Sequence, residues 1–169
     1  NSGDINIKLQ NNASAVINGK IHNTDGTIFI GNHTDNTAGD ITLNAPINNK
    51  KTTDSGKGDI IIDTQGSVSV NDTISNEKKG IEITAHKGIT TAENADVKAK
   101  TGDIKISNKE NQDGANSGLQ LNGRVTTENG NITIENKQSI ASVVGNVGTD
   151  SGNIAIENSN VGALNITGN

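Results

Sequence analysis

The pattern Gly-[Asp/Asn/Thr]-Ile-x-[Ile/Leu] constrains this chain more than any other feature. It begins at Gly3, Gly26, Gly39, Gly58, Gly102, Gly130 and Gly152, with looser copies at Gly80 ("GIEI") and Gly118 ("GLQL"). Roughly 0.15 matches would arise by chance from this composition, so the seven copies are a true internal repeat. Intervals of 22 or 23 residues recur, from 3 to 26, 58 to 80, 80 to 102 and 130 to 152. A lone Ile or Val precedes each new unit: Ile21, Ile47, Ile74, Val97, Val125 and Val147. Between these two landmarks lies a middle apolar pair, such as Ala15/Ile17, Ile41/Leu43, Val68/Val70 or Leu119/Leu121. Each unit thus reads strand, turn, strand, turn, short strand, turn.

Three strands in so few residues leave no room for the helix of an ordinary parallel crossover. The chain is therefore expected to be all-β, a parallel β-solenoid of about seven coils of roughly 22 residues. One coil cannot bury its apolar row alone; stacking on the next coil creates a continuous narrow core. Coils are expected to start near 3, 26, 58, 80, 102, 130 and 152, with insertions near 31–38, 50–57 and 108–117. Residues 1–169 then form a single segment, a rod roughly 35 Å long. Neither end reads as a cap, which suggests a stretch of a longer filament.

Composition agrees with a thin core. Only 30% of residues are hydrophobic, Phe29 is the sole aromatic, and Trp, Tyr, Met and Cys are absent. The apolar set is 23 Ile and 9 Val against five Leu, and branched side chains suit a pleated surface. Asn (27) and Gly (20) fit sharp corners, because both tolerate left-handed backbone, and stacked Asn can form amide ladders.

Several function classes lack their signatures. Without Cys there is neither a disulfide framework nor a thiolate metal site. No apolar run approaches the roughly 20 residues of a membrane span, so no membrane insertion is expected. A net charge of −5 with mixed signs throughout offers no basic stripe for nucleic acid. Asp4, Asp40, Asp59 and Asp103 follow anchor glycines, and an aligned carboxylate column would suit Ca²⁺ or a β-helical polysaccharide lyase or hydrolase. Asn131, Asn153 and Thr27 replace Asp in other copies, so backbone capping at the corner is the better reading. His22, His33 and His86 sit in different coils, which gives no zinc pattern. Gly-x-Ser-x-Gly and phosphate-loop motifs are absent. No catalytic, cofactor or metal residues are assigned, and the segment is expected to be non-enzymatic.

Units such as "GKGDIIIDTQGSVSVNDTISN" (56–76) and "ENGNITIENKQSIASVVGNVGTDSGNIAIEN" (128–158) resemble the shaft of large two-partner-secretion exoproteins. These are the filamentous-haemagglutinin-like and high-molecular-weight adhesins of Gram-negative bacteria. The resemblance covers essentially the whole chain and rests on repeat style, which autotransporter passenger domains share. The only proline, Pro46 in "NAPIN", offers no match to the Asn-Pro-Asn-Gly-type motif of the family's secretion domain. The resemblance implies a right-handed β-helix, exported through an outer-membrane translocator partner and displayed on the bacterial surface. There it would attach to a host-cell receptor. It also makes sequons candidates for glycosylation, of which Asn32 and Asn71, in a loop and a turn, are the most accessible. Five sequons are about what this composition gives by chance, so their number signals nothing.

Alternation along the first strand of each coil places Asn6, Phe29, Ile61, Glu82, Lys105, Thr133 and Ala155 in one outward column. Phe29 and Ile61 would be apolar neighbours on the outside, and with His33 in the adjoining insertion they are the candidate ligand contacts. Loops leaving a rigid scaffold often carry binding residues. A surface adhesin segment is the leading function. A passive shaft projecting a toxin or receptor-binding module is the alternative, with a β-helical carbohydrate-active enzyme behind it.

Overall fold

The computed structural model describes residues 3–31, 39–52, 56–109, 118–137, 140–159 and 163–168. Among them every regular element is a strand, and three parallel sheets run the length of the stack. The first sheet holds β1 (Ile5–Lys8), β4 (Ile28–Gly31), β7 (Ile60–Thr64), β10 (Ile81–Ala85), β13 (Ile104–Asn108), β16 (Ile132–Asn136) and β19 (Ile154–Asn158). The second holds β2 (Ala15–Ile17), β5 (Ile41–Leu43), β8 (Ser67–Val70), β11 (Gly88–Thr91), β14 (Gly118–Leu121), β17 (Ala141–Val143) and β20 (Leu164–Ile166). The third holds β3 (Ile21–Asn23), β6 (Ile47–Asn49), β9 (Ile74–Asn76), β12 (Val97–Thr101), β15 (Val125–Asn129) and β18 (Val147–Ser151). The molecule is a parallel β-solenoid of six complete three-strand turns, followed by two strands of a seventh.

The repeat motif produces the first sheet. Ile5, Ile28, Ile60, Ile81, Ile104, Ile132 and Ile154 are register partners from coil to coil. The five central members are buried, but Ile5 is only half-buried and Ile154 is 44 % exposed. The column is thus fully buried in its middle and open at its ends, where a coil packs on one side only. The copies at Gly39 and Gly118 head strands of the second sheet, β5 and β14, because any corner that enters a strand makes the same demands on the chain. Ile21, Ile47, Ile74, Val97, Val125 and Val147 form the column of the third sheet. Burial of these rows in one cluster is the main cohesive force.

The glycines mark corners where coils nearly touch. Gly26 has φ +87°, and a Cβ there would lie 2.7 Å from the carbonyl carbon of Gly3. At Gly102, with φ +119°, a Cβ would lie 2.5 Å from the carbonyl carbon of Lys79. Asn11 and Asn12 supply the positive φ at another turn.

Most residues of the expected insertions, 32–38, 53–55 and 110–117, lie outside the described residues. Gly31 belongs to β4 and Asn108 to β13, so neither belongs to an insertion. Lys51 is buried, its stem lying where a Cβ on Gly58 would collide with it. Its ammonium reaches back one coil to Asp25.

Candidate functional site

Sheet alternation sends the middle residue of each Ile-x-Ile outward. The register gives one column along the stack: Asn6, Phe29, Ile61, Glu82, Lys105, Thr133 and Ala155. Phe29 and Ile61 are direct partners, and both are half-buried. Beside Ile61 a depression of about 220 Å³ is lined by Asp59, Glu82, Asp103 and Lys105. Glu82 and Lys105 share this outer face as register partners. The structure thus joins two of the three expected contact residues; His33, like the candidate glycosylation residue Asn32, lies outside the described residues. Asn71 is exposed, and its Nδ2 donates to Asn44 Oδ1 at 2.8 Å, whose own Nδ2 donates to Asn18 Oδ1 at 2.9 Å. Its amide therefore ends an external ladder.

The acidic anchors have a structural task. Asp4 Oδ1 accepts the Thr27 N–H at 2.8 Å, Asp59 Oδ1 that of Gly80 at 3.0 Å, and Asp103 Oδ1 that of Asn131 at 2.7 Å. Asn131 Oδ1 does the same for the Asn153 N–H at 3.0 Å, which is why Asn and Asp exchange at this position. Asp40 plays the equivalent part for Ser67 in the second sheet. In the first sheet a Thr or Gly separates successive carboxylates. They therefore stand two strand spacings apart, about 9–10 Å, too far to share a cation. Among the described residues no three His, Asp or Glu side chains gather as metal ligands.

Two ion pairs shape the corners. The Lys51 ammonium hydrogen-bonds Asp25 and holds its carboxyl below the usual carboxylate range. Arg124 grips Asp96 through Nε at 3.1 Å and Nη2, which lowers the Asp96 pKa and raises that of the guanidinium. Ser107 Oγ donates to Glu135 Oε2 at 3.0 Å, with Lys109 Nζ 3.8 Å from the same oxygen. Ser107 is fully buried, so its hydroxyl is out of reach of a substrate.

No protein-family model matches this chain, and comparison with curated proteins and with solved structures finds no match.

The interior also carries amides, whose inward position composition does not reveal. Asn23, Asn49 and Asn76 are buried register partners at the corner that leads into the first sheet. Their Nδ2 groups donate to anchor carbonyls: Asn49 to Gly26 and Gly58 at 2.9 and 2.7 Å, Asn76 to Gly58 and Gly80 at 2.9 Å each. Thr127 and Thr149 take over in later coils, donating to Gly102 and Gly130. At the next corner Asn108, Asn136 and Asn158 form an inner ladder, with Nδ2-to-Oδ1 distances of 2.8 and 2.9 Å. A signal existed in the spacing Ile-x-Asn, since residues two apart share a face.

Proposed function

We propose that this chain is a segment of a bacterial surface adhesin: a non-enzymatic shaft whose outer face contributes to attachment to host cells. The supporting observation is the unbroken axial register, which sets Phe29 and Ile61 side by side on an outward face with Glu82 and Lys105 adjoining. Aromatic side chains are effective at interfaces, because they give large contact area for little rotamer entropy. A stack that folds by nearest-neighbour contacts alone suits export as an unfolded chain through an outer-membrane translocator, followed by assembly outside the cell. The two-partner-secretion likeness of the repeats points the same way, and surface display follows from it. Lack of Cys makes the fold independent of the redox state on either side of the membrane.

The test is a Phe29→Ser, Ile61→Thr double variant of this chain, first compared with the parent by circular dichroism and melting. Attachment to epithelial cells is then measured. The proposal expects an unchanged fold and lost attachment. Attachment equal to the parent's would remove the adhesive role from this patch. A drop of several degrees in melting temperature would instead make the pair part of a covering mini-core, favouring a passive shaft.

A further inference from the structure

The third sheet changes character along the stack. Strands β3, β6 and β9 have three residues each, whereas β12, β15 and β18 have five. The added length carries Lys100, Glu128 and Asp150 outward, as fixed by the buried neighbours Ala99 and Thr127 and by the pairs Thr101↔Asn129 and Asn129↔Ser151. Over these strands the outer surface is concave, with a volume of about 520 Å³, and Glu77 and Lys98 also line it. Gly148 lies in the same surface, and a Cβ there would meet nothing within 4 Å, so the floor stays open.

The charges in this concavity form no ion pairs with one another, although Lys98 adds a smaller share than Arg124 to the lowering of the Asp96 carboxyl pKa. Ion pairs among the described residues join Lys51 to Asp25, Lys57 to Asp4, Lys109 to Glu135 and Arg124 to Asp96. Glu77, Lys98, Lys100, Glu128 and Asp150 form none, although opposite signs occupy neighbouring coils. All five side chains are exposed. Elsewhere the conspicuous polar groups serve the backbone, as the anchor aspartates do.

We propose that this concave face is a binding site for a linear oligosaccharide lying along the stacking axis, held by Lys98, Lys100, Glu128 and Asp150. A sugar hydroxyl donates and accepts at once, so one glycan face satisfies ammonium and carboxylate groups together. Thr126, between Lys98 and Gly148 in register, offers a further hydroxyl. Three carboxylates against two ammonium groups disfavour a polyphosphate chain. No large apolar side chain lines the surface, so a peptide finds no pocket for an anchor. Coils repeat every 4.7–4.9 Å, close to the length of one pyranose in an extended chain, so successive sugars meet successive coils.

This inference deepens the adhesion reading by naming a ligand class, but it is tested by binding alone. Glycan binding without cell attachment would remove adhesion and leave the site standing. The isotope-labelled chain is titrated with cellotetraose, chitotetraose and a hyaluronan tetrasaccharide while backbone amide shifts are followed. At least one saccharide should give saturable shifts confined to β12, β15 and β18. Lys100→Ala and Glu128→Gln should each weaken its Kd about tenfold or more, as expected for loss of a charge-assisted hydrogen bond. Glu82→Gln, on the first sheet, should leave it unchanged. Because both changed side chains are exposed, the variants should fold as the parent does, which their spectra check directly. The site is overturned if no saccharide saturates, if shifts fall elsewhere, or if the variants bind like the parent. It is overturned equally if only a peptide of alternating Lys and Glu saturates the strands.

Discussion

A carboxamide inside a core is costly unless both its ends are used, and Asn76 uses both. Its Nδ2 bridges the carbonyls of Gly58 and Gly80, while Oδ1 accepts the N–H groups of Lys78 and Lys79 at 3.4 and 3.3 Å. Asn76→Ala should therefore destabilise by about 1–3 kcal/mol, because buried carbonyls lose their donor. Asn44→Ala on the exposed external ladder should cost under about 0.5 kcal/mol, since water replaces the lost partner. Urea titration of the two variants separates these outcomes; equal losses would mean the inner column is no better satisfied by protein than by solvent. Two interior oxygens among the described residues, Asn49 Oδ1 and Asn108 Oδ1, have no partner; at Asn108 the preceding residue of its column is Ala85, which has no amide to donate. Ala85→Asn would continue the ladder by one coil and should stabilise by about 1 kcal/mol. Destabilisation in the same urea titration would show that the corner has no room for the amide. The Asp96 carboxyl, held low by Arg124, adds pH dependence. A depressed folded pKa gives stability that is present above the ordinary value of about 3.9 and is lost as pH falls through the folded value. Arg124→Ala should melt below the parent at neutral pH, and the gap should close in acid below that range. A gap that stays constant with pH would mean Arg124 acts through packing alone.

At the scale of strands, the sequence revealed most where chemistry repeats strictly. Gly-x-Ile-x-Ile fixed the first sheet, and lone Ile or Val residues marked the third, because narrow interiors accept little else. The second sheet was weaker: Ser67-Val68-Ser69-Val70 and Gly118-Leu119-Gln120-Leu121 share only alternation. The amide ladders that stacked Asn suggests are present, but which Asn turn inward is not legible, because composition treats amides as surface or corner residues, whereas here backbone carbonyls at each corner draw them inside. The sheet-three concavity was not legible at all, since it depends on three lengthened strands lying side by side. Substitution along one column tests the burial gradient. Ile104→Asp should cost several kcal/mol by burying an unpaired charge. Ile154→Asp, at a site already 44 % exposed, should cost far less. Comparable losses at the two positions, read by thermal melts, would contradict the inward stacking of the middle coils.

At the scale of the molecule, both the shaft and its two candidate faces depend on one property, that all coils share an axial register. The attachment patch exists only if Phe29 stacks on Ile61, and the glycan site only if Lys100 stacks on Glu128. The chain contains no Cys, so paired thiols can be introduced and spin-labelled without background. Asn6 and Ala155 are exposed members of one outward column, linked through Phe29, Ile61, Glu82, Lys105 and Thr133. The most direct measurement is the electron–electron distance between nitroxides on an Asn6→Cys, Ala155→Cys chain. Six strand spacings predict a single narrow population centred near 29 Å, about 4.8 Å per coil. A dominant distance below about 20 Å, or a broad distribution without a peak, would contradict the axial stack.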